Sequence, residues 1–307
     1  MSDGISPPSG FAVGHWSDPD GLTGCTVVLP PEGVRGGIAV QGGGPGTRET
    51  DSLNPLTWSE GPSAVLLTGG SAFGLAAADG VARWLEEHER GHWTPAGLVP
   101  IVPTAVVYDL ATGDPKARPD ADAGYAACEA AAEGVPERGS VGVGMGAVVA
   151  KLGGREAGAR GGFGYAALRT GAGETVTAVA VANSVGDVID EDGSPLAAPR
   201  DTKRGVDLLI ESERVELPAA PEGNTTLVCV CTDASLDKRQ CGMVARAATA
   251  GIGRAVDPTF TPVDGDVAFC LASGEGEPRP YAAMQIGAAA AKVAAAAIRD
   301  AVGQAAT

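Results

Sequence analysis

The boundary most open to chemistry in this chain is Asn224-Thr225-Thr226, within "APEGNTTLVCVC" at residues 220–231. A Pro-Glu-Gly-Asn turn runs into an apolar stretch of strand character, so a strand opens on two hydroxyls. A threonine at a chain terminus can use its own α-amino group as base, because that amine titrates near ~7.7–8.0 in water. An internal Thr225 acquires such an amine only if the Asn224-Thr225 bond is cut. The residue can do this itself: its hydroxyl attacks the preceding carbonyl, and water hydrolyses the resulting ester. A turn carrying Gly223 and Asn224 would help expose that carbonyl. The same pattern fits a plain strand-opening threonine, a common use of the residue.

Other constellations offer less. "QGGGPGT" (41–47) and "TGGSAFG" (68–74) follow apolar runs and resemble phosphate cradles, but neither is a P-loop or a clean dinucleotide fingerprint. "GVGMGA" (142–147) is likewise only a partial match. Ser71 suits the N-cap of the helix that follows, and the turn before Ala72 could offer free N–H groups to an anion. GxSxG is absent, and His15, His88 and His92 read as solvated residues in a turn or at a helix end. The six cysteines form no CxxC and have no histidine at ligand spacing, so neither a metal nor a cofactor is expected. They read as small buried side chains, with Cys229 and Cys231 on one face of a strand.

The elements that would position these residues alternate along the chain. Apolar runs predict strands at Cys25–Leu29, Gly37–Gln41, Ala64–Thr68, Leu98–Val107, Val141–Val149, Thr175–Ala182, Thr226–Thr232 and Asp266–Ala272. Helical spacing predicts helices at Ala72–Arg90, Ala121–Glu133, Asp201–Glu211, Arg239–Ala250 and Ala282–Val302. The strands are continuously apolar and so buried on both faces, which suggests α/β layers of sheet covered by helix. No repeat or linker divides residues 1–307, so one domain is expected. "DEDGSPLAAP" (190–199) and the Pro-rich stretch before Thr225 read as exposed loop that could tolerate a chain break.

Bulk properties narrow the partners. The chain of 307 residues is long enough for a sizeable core, and 44 % hydrophobic residues argue for a globular protein. A net charge of −16 disfavours nucleic acid and anionic membrane surfaces. No signal-peptide pattern opens the sequence, so a cytoplasmic location is expected. The Ala-rich segment from Tyr281 carries Lys292, Arg299 and Asp300 and reads as a packed helix.

Several long strings carry a family resemblance from about Val13 to Ala297. They include "GHWSDPDGLTGCTVVLP", "GGGPGTRETD", "LTGGSAFGLAAADGVARWLEE", "VGVGMGAVVAKLGG", "VANSVGDV", "GNTTLV" and "TPVDGDVAF". With these the chain resembles the DmpA-type self-cleaving peptidases (P1 or S58 peptidases), which include β-aminopeptidases and nylon-oligomer hydrolases. The resemblance implies a four-layer αββα sandwich, shared with ornithine acetyltransferase. It also implies a precursor cut before a Ser or Thr; here the matching bond is Asn224-Thr225, with products 1–224 and 225–307. The Thr nucleophile and a D-x-D motif at Asp264 and Asp266 match the nylon-oligomer (6-aminohexanoate) branch more closely. That branch's Tyr, Lys and Asn map onto Tyr108, Lys151 and Asn183. Family members are usually tetramers of the cleaved unit.

Each mapped residue has a physical reading beside the implied one. Asp264 and Asp266 would share a face of a strand, and a new ammonium at Thr225 would favour them as carboxylates. Lys151 is one of 5 lysines against 17 arginines, and lysine, unlike arginine, can exchange a proton. Asn183 could donate to an oxyanion, worth about 3 kcal/mol, or simply cap a turn. Tyr108 could bond the nucleophile or oxyanion, or be an amphipathic core residue. Thr226 is the fallback nucleophile, although alternation points it to the opposite face. The expected activity is an N-terminal-threonine amide hydrolase acting on small amides or peptides, such as 6-aminohexanoate oligomers or β-amino-acid peptides. An ornithine acetyltransferase-like acyltransferase and an uncleaved binding protein are the alternatives.

Overall fold

A computed structural model describes residues 4–199, 203–213 and 223–305. Two sheets stack face to face, and each carries a pair of helices on its outer side. The six-stranded sheet runs in the order 47–48, 104–106, 65–68, 23–29, 12–18, 132–133. The five-stranded sheet runs 162–169, 175–183, 225–232, 267–272, 35–40. Helices α1 (Ala77–Glu87) and α2 (Ala121–Glu129) cover the first sheet. A short helix α3 (Gly205–Glu211) lies against the turn at Lys151. Helices α4 (Lys238–Ala255) and α5 (Ala282–Ala305) cover the second sheet. The result is the expected αββα sandwich.

Strand alternation builds the three apolar layers that separate these four. In Thr225–Thr232, Leu227, Cys229 and Cys231 enter the layer between the sheets, while Val228 and Val230 enter the layer under α4 and α5. Cys25 and Val27 face α1 and α2, whereas Val28 faces the other sheet. These two strands therefore bury both faces, which explains their largely apolar sequence. All six cysteines are free and buried. No helix among the described residues is long and apolar enough to cross a membrane.

Small residues set the spacing of the outer layer. A Cβ on Gly164 would fall 2.1 Å from the Ala297 carbonyl oxygen, so α5 lies directly on the 162–169 strand. The alanines of α5 and the glycines of this strand serve one close approach. Helix α4 is fixed at its start by a capping box between Asp237 and Gln240, which satisfies two otherwise unpaired N–H groups.

Several expected elements are corrected. Leu98–Val107 is broken by Pro100 and Pro103 into 97–99 and 104–106, because proline cannot donate to a ladder. Of Val141–Val149 only Val148–Val149 is strand, paired with Ala159–Arg160; Gly142–Gly144 is a 3₁₀ turn, with the amides of Gly142 and Val143 taken by the hydroxyls of Ser17 and Thr26. Residues 71–76 form a 3₁₀ turn before α1, and Ser71 sits inside it at φ 53° rather than capping the helix. Helix α2 stops at Glu129, and 132–133 joins the sheet edge. Residues 190–199 contain a short strand at Pro195–Ala197 paired with Asp187–Ile189. The expected helix at 201–211 is observed from Gly205; residues 201–202, and 214–222 of the stretch before Thr225, lie outside the described residues.

Candidate active site

Thr225 opens the middle strand of the five-stranded sheet, with an antiparallel neighbour on one side and a parallel one on the other. Both neighbours deliver site residues to its first position. The 175–183 strand ends at Asn183, directly opposite Thr225. The turn leading into the 267–272 strand carries Asp264, which bridges to Asn224 in parallel fashion. Thr225 is only 4 % exposed, and Asn183, Asp264 and Asp266 are at most 1 % exposed.

The six expected residues converge here. The Thr225 hydroxyl donates to the carbonyl oxygen of Asn224 at 2.5 Å. Asp266 Oδ1 accepts the Thr226 N–H at 2.6 Å, one residue past the threonine. Asp264 accepts from the Val185 N–H (3.2 Å) and from the Thr261 hydroxyl. Lys151 Nζ donates to the Asn183 carbonyl at 2.9 Å and to its Oδ1 at 3.3 Å. The Asn183 Nδ2 in turn donates to the Tyr108 carbonyl at 3.3 Å. Tyr108 thus orients Asn183 through its backbone, while its side chain packs on Gly223. Thr226 follows the alternation that carries Val228 and Val230 toward the helices, opposite the Thr225 side chain, and its hydroxyl faces Asp266.

Gly265, the middle residue of D-x-D, was not singled out by its sequence. Its N–H donates to the Asn224 carbonyl oxygen at 2.6 Å, the same oxygen that faces the Thr225 hydroxyl. A backbone donor aimed at a carbonyl oxygen beside a hydroxyl has the arrangement an oxyanion hole requires. A Cβ at Gly265 would lie 2.8 Å from Thr225 Oγ1, so only glycine fits. The sole clue in the sequence is that this residue between two aspartates is a glycine.

The glycine loops have other work. Gln41 and Gly44 donate N–H groups to the carbonyls of Asp266 (3.0 Å) and Asp264 (2.8 Å), so "QGGGPGT" braces the D-x-D turn. In "TGGSAFG" the Gly70 and Ser71 amides are occupied by Asp109 Oδ1 and the Val107 carbonyl, which removes them as an anion site. His15 is not solvated. It packs edge-on to Phe163 and bonds Thr26, and burial pushes it down to about 4, so it is neutral near pH 7. A concavity of about 650 Å³ lined by Trp58, His92 and Trp93 contains none of the six residues.

Electrostatics set the aspartates apart. Burial pushes the Asp266 carboxyl up to about 7, reinforced by the charge of Asp264 and opposed by the Thr226 and Phe260 N–H groups. Asp264 is raised by burial, against the pull of the Thr261 hydroxyl, the Val185 N–H and the Lys151 charge. Two carboxyls this close resist double ionisation. Among the described residues no group of His, Cys, Asp and Glu could hold a metal.

The chain matches peptidase family S58 over residues 5–307. It belongs to that family. It is 44 % identical to an uncharacterized aminopeptidase of Mycobacterium leprae, over 89 % of this chain and 79 % of the relative. It is 29 % identical to the 6-aminohexanoate-oligomer endohydrolase of Paenarthrobacter ureafaciens, over 87 % of this chain and 74 % of that protein. Among solved structures, a Burkholderia sp. beta-aminopeptidase superposes with a TM-score of 0.71 at 22 % identity, covering 98 % of this chain and 88 % of the other. The L-aminopeptidase D-Ala-esterase/amidase of Ochrobactrum anthropi, described as a variant of the Ntn hydrolase fold, gives 0.70 at 19 % identity, covering 99 % and 88 %. This S58 protein is therefore a peptidase or amidohydrolase with the fold expected from its sequence.

Proposed function

We propose that this S58 protein is a self-processing amide hydrolase whose nucleophile is Thr225. The observation that carries the reading is the Asn224 carbonyl held between two donors, the Thr225 hydroxyl at 2.5 Å and the Gly265 N–H at 2.6 Å. In processing, a bond forms from Oγ1 to the Asn224 carbonyl carbon as the C–N bond to Thr225 breaks. The hydroxyl proton ends on the Thr225 nitrogen. Water hydrolyses the ester, leaving residues 1–224 and a second fragment that begins at Thr225.

In turnover the new α-amine takes the Oγ1 proton as the hydroxyl attacks a substrate amide, then passes it to the leaving amine. Asp264, Asp266 and Lys151 set the charge around that amine. The Gly265 N–H holds the oxyanion, with Asn183 positioned by Lys151 and Tyr108 to add its amide. Water completes the cycle by hydrolysing the acyl-enzyme. Membership of S58 favours water over an amine such as ornithine as acceptor. The relatives' names suggest small amides, either aminoacyl compounds or 6-aminohexanoate oligomers.

Intact-mass measurement tests the reading directly. Purified protein held at neutral pH should resolve into masses for 1–224 and 225–307, and Thr225→Ala should stay whole. A wild-type chain still intact after prolonged incubation would refute self-processing.

A further inference from the structure

The uncut chain displays how an acyl group lies against Thr225, because Gly223 and Asn224 are the acyl side of its bond. Asn224 is held at two points by one backbone segment. Its N–H donates to the Val263 carbonyl at 3.3 Å, and its carbonyl accepts from the Gly265 N–H at 2.6 Å. That acceptor and donor are spaced for one α-amino acid, with a single carbon between nitrogen and carbonyl. Beyond the nitrogen the path narrows. A Cβ on Gly223 would fall 2.7 Å from the Tyr108 Cβ and 3.1 Å from its Cγ. Atoms so near the Tyr108 backbone cannot swing aside.

We propose, resting on the reading of Thr225 as nucleophile, that Val263 and Gly265 form an acyl clamp selecting α-aminoacyl groups, and that Tyr108 is a specificity-determining wall. The clamp reads the distance between an N–H and the reacting carbonyl. A β-aminoacyl or 6-aminohexanoyl group whose carbonyl sits on the Gly265 N–H carries its nitrogen past the Val263 carbonyl. It forfeits that hydrogen bond to the Val263 carbonyl. The wall admits a free amino terminus or a preceding glycine, and excludes a preceding residue with a side chain.

The test uses the mature, self-cleaved protein and a panel of 4-nitroanilides. The acyl groups are L-alanyl, propanoyl, β-alanyl, 6-aminohexanoyl, glycyl-alanyl and alanyl-alanyl. We expect kcat/KM for L-alanyl to exceed the propanoyl, β-alanyl and 6-aminohexanoyl values by about tenfold, the scale of one net hydrogen bond. Glycyl-alanyl should exceed alanyl-alanyl by a similar factor, and Tyr108→Gly should shrink that ratio. A variant that was merely damaged would lose both substrates alike and leave the ratio in place. Thr225-dependent hydrolysis with 6-aminohexanoyl or β-alanyl equal to or above L-alanyl overturns the clamp while sparing the nucleophile. Equal rates for the two dipeptide anilides overturn the wall. A chain that neither cuts itself nor hydrolyses any anilide overturns both the clamp and the reading beneath it.

Discussion

Replacing Gly265 by alanine tests the site at its tightest point. The added Cβ would lie 2.8 Å from Thr225 Oγ1, 2.8 Å from the Gly44 carbonyl oxygen and 3.2 Å from the Pro45 Cα. Ordinary contact begins at 3.4 Å, so relief requires a displacement of at least about 0.6 Å (3.4 − 2.8). Gly44 is tied to the Asp264 carbonyl, so that side resists and Thr225 or the Gly265 amide must yield. A misplacement of ~1 Å costs roughly 10²-fold in a positioned reaction. Loss of one oxyanion donor costs about 10²–10³-fold. Self-cleavage of Gly265→Ala should therefore slow by about a hundredfold or more, read as the uncut fraction by intact mass over time. Gly171→Ala is the control, since a Cβ there meets nothing within 4 Å. A folded Gly265→Ala protein that cuts at the wild-type rate would refute both the oxyanion assignment and the crowding behind it.

Three other expectations follow from the same geometry. Asp266 is raised from the ordinary 3.8 to about 7 in the uncut fold, so between those values the native chain holds a proton that the unfolded chain has lost. Its contribution makes the Thr225→Ala precursor less stable as pH rises from about 4 to about 7, and Asp266→Asn should flatten that slope in urea melts. Lys151→Met removes the donor to two Asn183 acceptors, so the precursor should lose about 1–3 kcal/mol by urea titration and processing should slow. All six cysteines are buried, so the native protein should resist a thiol reagent such as DTNB until denatured, when six thiols should react.

The strand that opens on Thr225 was legible because its pattern is local. Cys229 and Cys231 share a face as their spacing requires, and the Gly-Asn turn marks where the strand opens. The 162–169 strand was missed because its sequence, GFGYAALR, answers to α5 and not to β propensity. Its glycines make room for helix backbone more than 130 residues away, and no local window contains that partner. The start of Val141–Val149 failed for the converse reason: its apolar residues are real core, but Ser17 and Thr26 claim the Gly142 and Val143 amides, and only Val148–Val149 pairs as strand. In the site, Asn183 and Lys151 gain meaning only across the sheet, so the family strings had to supply them. Gly265 could not be found from side-chain chemistry, because what it contributes is an N–H that nearly every residue has.

On the proposed reading, the aspartates would explain how a site for an ammonium can exist before the ammonium does. In the uncut chain the Thr225 nitrogen is a neutral amide, and two desolvated carboxyls face each other with Lys151 as the nearby cation. Burial and the Asp264 charge then leave Asp266 about half protonated near pH 7, so the uncut fold carries less unpaired negative charge than two full carboxylates. On the proposed reading, cutting the bond would place an ammonium one residue from the N–H that Asp266 already holds. That charge favours the ionised carboxylate and lowers the proton affinity that burial had raised. The group that costs the uncut chain stability as pH rises would thus become the partner of the proposed new terminus. The pH slope of the uncut Thr225→Ala protein should accordingly be weaker in the mature enzyme, and equal slopes would separate Asp266 from the amine.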